Sequence, residues 1–340
     1  MPPRVLFGPA PMRDIPHCYE PVLSAAGFEL VYPPAVRQMT EDELLALLPG
    51  CAASLAGSEP YTRRVIAAGA AAGLKVIARA GVGYDAVDVQ AATDHGVIVT
   101  YAPGSNHEAV AEHALLLILG LAKSVVMQHT DTKAGKWPRK AQQPVREKTL
   151  GIVGLGRTGR ATAHRALAFR MNVVACDPYV DGEFAKRQGI PLVSLDEVLA
   201  WSDYVSLHVP LTAETRHLIR AETIAKMKPT ATLINTSRGE VVHEADLYVA
   251  LKSKRLAAAG LDVFEHEPLK DHPFQTLDNV LLTAHTAGVD FRSREDMVNF
   301  AARGIADLFA GKWPTEWVVN PEVRDRWAPP VGLPAADGRV

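Results

Sequence analysis

Two stretches of the chain alternate short apolar segments with amphipathic ones, and this alternation restricts the fold more than any other feature of the sequence. In the first stretch, predicted strands lie at 5–7, 52–56, 75–79 and 97–101, and predicted helices lie at 41–48, 61–72 and 85–95. In the second, predicted strands lie at 149–154, 173–177, 204–209, 231–236, 257–263 and 280–283. Strands that alternate with helices form parallel sheets with helices on their faces. We therefore predict an α/β protein with two doubly wound parallel sheets.

The remaining segments connect or flank these two arrays. The segment 107–126 is predicted to be a helix, and its part 114–122 is apolar on every side, which indicates burial in a core, at a domain junction or at a subunit interface. The segment 130–143 has no periodicity and is predicted to be a loop. A final amphipathic helix is predicted at 293–309, and the proline-containing tail from Lys312 is expected to be irregular and to lie on the surface.

Charge and cysteine content exclude several classes of function. The 36 basic and 38 acidic residues are interspersed, so no basic tract favours nucleic acid or a membrane surface as a partner. The three cysteines, Cys18, Cys51 and Cys176, are far apart, so we expect neither a disulfide framework nor a metal site. No apolar segment is long enough for a membrane span, and the N-terminal segment lacks the pattern of a signal peptide. We expect a cytoplasmic protein that binds a small molecule.

A glycine motif stands at the start of the second array. Gly154, Gly156 and Gly159 follow a predicted strand and open a predicted helix at 158–169. The first glycine permits a tight turn, the second lets a pyrophosphate approach the backbone, and the third allows close helix packing. The free N–H groups at the start of that helix can hold phosphate. A glycine pattern alone is common, but the pattern in this position predicts a dinucleotide site.

An acidic residue stands at the spacing expected for recognition of a ribose. Asp177 ends the next predicted strand and follows Gly154 by 23 residues. A carboxylate at this offset accepts hydrogen bonds from a ribose diol and would repel the 2′-phosphate of NADP. The alternative interpretation is that Asp177 caps a turn before Pro178. We predict NAD as the cofactor.

Three consecutive predicted strands each deliver an ionisable residue to one edge of the second sheet. Arg238, Glu267 and His285 follow the strands at 231–236, 257–263 and 280–283. Ligands of open α/β sheets bind beyond the carboxyl ends of the strands, so these residues are the predicted catalytic group. Taken singly, each could be an ordinary ion-pair, loop or buried residue. His208 and His266 lie near the same edge and are interpreted as structural.

Several ordered motifs together resemble the D-isomer-specific 2-hydroxyacid dehydrogenase family, which includes phosphoglycerate dehydrogenases and glyoxylate or hydroxypyruvate reductases. The resemblance extends from about Cys51 to Trp313. It is carried by the segments 77–85, 110–113, 149–159, 234–239, 260–264 with Glu267 and Pro268, and 283–288.

The resemblance implies a role for each predicted catalytic residue, and the chemistry of the side chains agrees. Arg238 would hold the substrate carboxylate through two parallel bonds. His285 would exchange a proton with the 2-oxo oxygen as hydride is transferred. Glu267 would bond the other ring nitrogen and fix the tautomer. Glu265 is the nearest competitor, but only Glu267 precedes the proline that the family pattern requires.

The resemblance also implies the wider binding site. Asp262 corresponds to the residue that bonds the nicotinamide amide, and the N–H groups of Val82 and Gly83 to the loop that meets the substrate carboxylate. The predicted cofactor contacts are Gly154, Gly156, Arg157, Thr158, Gly159, Asp177, Val209, Pro210, Thr215, Thr236, Ser237, Asp262 and Gly288. The predicted substrate contacts are Arg79, Val82, Gly83, Asn106, Arg238 and His285.

Two residues depart from the family pattern. Ala284 stands where a proline usually precedes the histidine, and Tyr101 stands where an asparagine is common. Both departures bear on the choice of substrate. Phosphoglycerate or hydroxypyruvate/glyoxylate is the leading expectation, supported by the segment 79–83.

The expected architecture is a Rossmann NAD domain, 104–290, inserted into a flavodoxin-like substrate domain formed by 1–103 and 291–340. The helix after residue 107 is expected to form the seam of a homodimer, as the resemblance implies. Two alternatives stay open. One is a nicotinamide-sensing binding protein like the corepressors that share this fold, and the other is an enzyme related to formate or phosphite dehydrogenases.

Overall fold

The computed structural model describes residues 2–180 and 182–327. The chain divides into two compact units. Unit 1 consists of Met1–Asn106 and Phe291–Val340, and unit 2 consists of His107–Asp290.

Strands and helices alternate through most of the described residues. The strands are β1 (Arg4–Phe7), β2 (Glu29–Val31), β3 (Cys51–Ala56), β4 (Val76–Arg79), β5 (Ile98–Thr100), β6 (Thr149–Val153), β7 (Asn172–Cys176), β8 (Tyr204–Leu207), β9 (Thr232–Asn235), β10 (Ala258–Leu261) and β11 (Val280–Leu282). The helices are α1 (Glu20–Ala25), α2 (Glu41–Leu47), α3 (Arg63–Ala71), α4 (Val89–Asp94), α5 (His107–Ala122), α6 (Val125–Lys133), α7 (Arg157–Ala168), α8 (Glu183–Gln188), α9 (Leu195–Trp201), α10 (Ala221–Ile224), α11 (Glu244–Lys252) and α12 (Phe291–Phe309).

The sheet of unit 1 has the strand order β2-β1-β3-β4-β5, and all of its strand pairs are parallel. This is the flavodoxin-like order. Helix α12 packs on this sheet with Ile305 and Leu308 fully buried. The strand β2 and the helix α1 were absent from the sequence-based prediction, because both are short and only Leu23 of α1 is buried.

The segment after α12 is more deeply packed than the sequence predicts. Asn320 is buried, and its side-chain amide accepts from the N–H of Val99 and donates to the carbonyl of Val97. Val323 is also buried in the core of unit 1. The expectation of a surface tail is therefore wrong at Asn320 and Val323, because Asn320 bonds the free backbone groups beside β5, whereas the other residues from 312 to 327 are exposed or partly exposed. Pro329, Pro330 and Pro334 lie outside the described residues.

The sheet of unit 2 has the order β11-β10-β9-β8-β6-β7 and is also parallel throughout. A single parallel bridge between Ala175 and Leu192 adds a short strand outside β7. With that bridge, the strand order is that of a Rossmann fold. The two predicted doubly wound sheets are confirmed.

The apolar helix of unit 2 ends earlier than predicted. Helix α5 stops at Ala122, Ser124 takes a left-handed conformation with φ of 48°, and α6 then continues to Lys133. The prediction of one helix to residue 126 and a loop from residue 130 is wrong at these boundaries. Leu117 and Ile118 of α5 are fully buried, whereas Leu116 is 57% exposed, so burial on every side is not complete within one chain.

No single helix among the described residues is long and apolar enough to cross a membrane. Helices α5 and α6, which are bent by 58° at their break, satisfy that criterion only as a pair and only by length and composition.

Candidate active site and dinucleotide cradle

The carboxyl ends of β9, β10 and β11 bring the three predicted catalytic residues to one edge of the unit 2 sheet. These strands are neighbours in the sheet, so the loops that follow them lie side by side. Arg238 follows β9, Glu267 follows β10 and His285 follows β11. The loop between β6 and α7 leaves the same edge, because every strand of this sheet is parallel.

His285 and Glu267 form a direct pair. The distance from His285 Nδ1 to Glu267 Oε2 is 2.7 Å, and the second carboxylate oxygen of Glu267 accepts from the N–H of Phe264 at 3.0 Å. Burial raises the pKa of Glu267, but the hydrogen bond and charge of His285, the Phe264 N–H and the charge of Arg238 outweigh it and leave that pKa lowered. Glu267 therefore stays charged at neutral pH and engages Nδ1 of His285, so Nε2 is the ring nitrogen that remains for a ligand.

Asp262 fixes the loop that carries His285. This fully buried carboxylate accepts from the hydroxyl of Thr283 at 2.6 Å and from the N–H groups of Thr286 and Ala287 at 2.9 Å each. The N–H of His285 also donates to the carbonyl of Asp262. These bonds hold His285 at a positive φ of 53°, a conformation that is uncommon outside glycine. Ala284, where the family pattern has proline, lies exposed in this turn.

Arg238 is carried on a turn that Asn235 organises. The buried amide of Asn235 donates to the carbonyl of Arg238 and accepts from the N–H and hydroxyl of Ser237. Gly239 follows, and a Cβ at this position would lie 1.9 Å from the carbonyl carbon of Phe264. The chain needs glycine here because the loops after β9 and β10 are in contact. This contact brings Arg238 close enough for its charge to lower the pKa of Glu267.

Each glycine of the motif has the geometry that its predicted role requires. Gly154 has a φ of +94°, and a Cβ there would meet the carbonyl oxygen of His208 at 2.7 Å. Gly156 is the N-cap of α7, and open space surrounds the position of its missing Cβ. A Cβ on Gly159 would lie 2.0 Å from the carbonyl oxygen of Gly154, so the helix packs tightly under the turn. Of the three glycines, only Gly156 has open space at this position through which a ligand could approach the backbone.

Asp177 immediately follows β7 and ties the glycine turn to the next loop. One carboxylate oxygen accepts from the N–H of Leu155 at 2.7 Å, and the other accepts from the N–H of Tyr179 at 2.9 Å. The first bond places the carboxylate beside the glycine turn. The second bond is the turn-capping bond of the alternative interpretation, so this aspartate serves the local turn whatever else it binds.

The other predicted cofactor contacts lie on loops of unit 2. The hydroxyl of Thr215 accepts from the N–H of Thr212 and donates to the carbonyl of Pro210, which closes the loop after Val209. Thr236 is buried, and its hydroxyl has no hydrogen-bond partner among the described residues. A buried hydroxyl without a partner needs an explanation, and a bound ligand is one. Arg157, Thr158, Ser237 and Gly288 are at least partly accessible.

The predicted substrate contacts Arg79, Val82, Gly83 and Asn106 belong to unit 1. Arg79 ends β4, and its guanidinium folds back to donate to the carbonyl of Ala80 at 2.8 Å. A Cβ on Gly81 would lie 2.7 Å from this guanidinium, so the loop lies directly over it. Tyr101 packs edge-to-face on Tyr84, with 5.7 Å between ring centroids.

Sequence reasoning missed the residues that hold the site together. Asn235, Thr283 and the N–H of Phe264 position the three predicted catalytic side chains through hydrogen bonds. Their only signal in the sequence is adjacency to a strand end, which many polar residues share. Glu265 instead pairs with His217 at 3.2 Å. In unit 1, His17, Cys18 and Glu295 form a surface group of the kind that can hold a metal.

The fold and the site together define a class. A parallel sheet with a glycine turn at one strand end and an acid–base pair at neighbouring strand ends is the arrangement of a dinucleotide-binding oxidoreductase. The family model described as "D-isomer specific 2-hydroxyacid dehydrogenase, NAD binding domain" matches residues 115–287.

Individual relatives agree with the family model. The chain is 43% identical to the D-3-phosphoglycerate dehydrogenase of Methanocaldococcus jannaschii over 73% of this chain and 48% of that protein. It is 42% identical to the glyoxylate reductase of Korarchaeum cryptofilum over 75% of this chain and 78% of that protein. The D-lactate dehydrogenase of Aquifex aeolicus, solved with NAD and lactic acid, has a TM-score of 0.82 at 30% identity and covers 93% of this chain and 99% of that one.

The chain belongs to the D-isomer-specific 2-hydroxyacid dehydrogenase family. It spans about half the length of the phosphoglycerate dehydrogenases that it matches.

Proposed function

We propose that this protein is an NAD-dependent oxidoreductase that interconverts a D-2-hydroxy acid and its 2-oxo acid by hydride transfer. The observation that carries the proposal is the 2.7 Å pair of His285 and Glu267 at the sheet edge that also bears the glycine turn. Unit 2 would bind the dinucleotide, and the predicted substrate contacts Arg79, Val82 and Gly83 belong to unit 1.

The residues of unit 2 fit NAD. The open space at Gly156 would take the pyrophosphate, and Asp177 would accept hydrogen bonds from the ribose diol. The unpaired hydroxyl of Thr236 is a further group for the cofactor to contact, whereas the fully buried carboxylate of Asp262 is already bonded to Thr283, Thr286 and Ala287. NAD supplies or accepts the hydride when bound. We propose NAD over NADP because Asp177 would stand against a 2′-phosphate. Binding of NADPH as tight as that of NADH would contradict this preference.

The side chains of unit 2 would divide the remaining chemistry between them. Arg238 would hold the substrate carboxylate and so fix the orientation of C2. His285 would give a proton from Nε2 to the 2-oxo oxygen during reduction and remove it during oxidation. Glu267 would hold Nδ1 and stabilise the charged ring by its own negative charge.

Within this family, an unphosphorylated substrate such as hydroxypyruvate or glyoxylate fits the loop of unit 1 best. The Arg79 guanidinium already donates to Ala80 and lies 3.4 Å from the hydroxyl of Ser58. Burial raises the pKa of Glu59, and the charge of the same guanidinium opposes that rise, so Arg79 already interacts with a buried carboxyl group. A phosphorylated side chain needs a cation that is available to it. The competing proposal is a phosphoglycerate substrate, which the names of several relatives favour.

A turnover assay tests the activity and the substrate together. NADH oxidation would be followed with glyoxylate, hydroxypyruvate and phosphohydroxypyruvate as substrates. We expect turnover with the first two and a lower kcat/KM for the phosphorylated acid. A higher kcat/KM for phosphohydroxypyruvate would instead support phosphoglycerate. Tight NADH binding with no turnover on any 2-oxo acid would favour a nicotinamide-sensing protein.

We further propose that the protein is a homodimer in the cytoplasm. Exposed apolar side chains cluster on α5, α6 and the following loop, and a monomer in water would leave them uncovered. They are Leu116, Val125, Val126, Met127 and Trp137, with exposed fractions from 49% to 78%. The free thiols of Cys18, Cys51 and Cys176 are compatible with a reducing compartment.

A further inference from the structure

A histidine on α5 is connected to the loop of His285 through two other side chains. His113 Nε2 lies 2.9 Å from the hydroxyl oxygen of Thr283, which in turn lies 2.6 Å from Asp262 Oδ1. The side chain of His113 is 14% exposed. None of the predicted roles of the site involves this histidine, although it belongs to the same unit and touches the same loop.

The proton positions in this chain of side chains follow from the groups available. The Asp262 carboxylate can only accept, so the single proton of the Thr283 hydroxyl points toward it. The hydroxyl oxygen must then accept from His113, and His113 must carry its proton on Nε2. The Nε2 atom is also 3.7 Å from Asp262 Oδ1, so the N–H dipole points toward the buried negative charge.

Asp262 connects His113 and Thr283 to the loop that carries His285. The same Oδ1 atom accepts from the N–H of Thr286, and Oδ2 accepts from the N–H of Ala287. These two residues follow His285, whose positive φ depends on the loop being held. If the Thr283 hydroxyl lost its donor, it could rotate toward another acceptor, and Asp262 would lose its shortest bond.

We propose that His113 is a positioning residue for the proton-transferring histidine. Its Nε2–H orients the Thr283 hydroxyl, which keeps Asp262 bonded to the loop that holds His285 in place. This inference rests on the proposed function, because it assigns the effect of His113 to the step in which His285 moves a proton.

Two substitutions of His113 distinguish the effect of its hydrogen bond from the effect of the volume of its ring. His113→Leu keeps apolar volume and removes the donor, whereas His113→Gln can place an amide N–H near the position of Nε2. A neutral hydrogen bond of this kind corresponds to a change of about five- to tenfold in rate. Glu112→Gln is the matched control, because Glu112 is the preceding residue of α5, pairs with Arg165 and is 65% exposed.

Steady-state reduction of a 2-oxo acid and thermal unfolding would be measured for all four proteins. We expect His113→Leu to lower kcat about five- to tenfold with the KM of the 2-oxo acid nearly unchanged. His113→Gln should restore kcat to within about twofold, at similar Tm, and Glu112→Gln should match the wild type. Unchanged kcat in His113→Leu, or equal losses of kcat and Tm in both His113 variants, would overturn the inference. Absence of turnover in the wild type would instead overturn the proposed function.

Discussion

At the scale of single residues, the role of His285 as the proposed acid can be tested most directly. His285 has one ring nitrogen bonded to Glu267 and the other available, so its removal should abolish proton transfer without affecting the dinucleotide cradle. We expect His285→Ala to lower kcat by about 10²- to 10⁴-fold and to leave the Kd of NADH within about twofold. His266→Ala is the matched control, since His266 is an exposed histidine on the loop of Glu267. Full turnover in the His285 variant would disprove its role.

Arg238 should affect substrate binding more than the chemical step. A guanidinium can bond both oxygens of a carboxylate, whereas an ammonium keeps the charge but loses the planar fork. We expect Arg238→Lys to raise the KM of the 2-oxo acid by about 10- to 100-fold and to change kcat less. Steady-state kinetics over a range of 2-oxo acid concentrations would measure both constants. A loss confined to kcat would place Arg238 in proton or hydride transfer instead.

His208 should make stability depend on pH. Burial lowers the pKa of this histidine from 6.5 to about 4, and its Nε2 atom bonds the hydroxyl of Ser206. As the pH falls from 6.5 toward 4, the unfolded chain binds a proton that the folded chain does not, so stability is complete above this window and declines through it. We expect the free energy of unfolding of His208→Gln to fall less steeply, by on the order of 1–3 kcal/mol across the window. Parallel urea titrations of both proteins would measure the slopes, and equal slopes would contradict the assignment.

At the scale of elements, two glycines of the turn between β6 and α7 are expected to serve different purposes: Gly159 is needed for folding and Gly156 for binding the dinucleotide. Open space surrounds the position of a Cβ on Gly156, whereas a Cβ on Gly159 would lie 2.0 Å from the carbonyl oxygen of Gly154. We expect Gly156→Ala to keep the Tm of the wild type but to weaken NADH binding. Gly159→Ala should lower the Tm because the helix must move. Thermal unfolding without ligand and NADH titration would test the pair, and equal effects of both variants on Tm would refute the distinction.

Elements of the fold could be predicted from the sequence where a short local pattern, such as an apolar segment or a glycine turn, is enough to determine the structure. The glycine turn and the strand ends that carry Arg238, Glu267 and His285 follow from apolar segments of the length that a buried parallel strand requires. The strand β2 has only three residues, none of them buried, so no such pattern marks it. No proline or glycine stands between Ala122 and Val125, so the sequence carries no such signal at the break itself. The bonds of Asp262 join it to residues after the neighbouring strand β11, and such contacts depend on the register of the two strands.

At the scale of the whole molecule, each unit is built on its own parallel sheet and has its own core. The family model covers residues within unit 2, while the predicted substrate contact Arg79 belongs to unit 1. The family model therefore includes the predicted dinucleotide residues from Gly154 to Asp262 and excludes the predicted substrate residues at 79–83.

The exposed apolar surface of unit 2 leads to a prediction about assembly. Val126 lies on α6 and is 58% exposed, beside other exposed apolar side chains of α5 and α6. If this surface is the seam of a two-fold dimer, a buried unpaired carboxylate would appear twice in it and would oppose association. We expect light scattering to give twice the mass of one chain for the wild type and a monomer, or a mixture with monomer, for Val126→Glu. Val249→Glu is the matched control, because Val249 is 63% exposed on α11, away from this cluster. A wild-type monomer, or a dimer that Val126→Glu leaves intact, would show that this surface is not the seam.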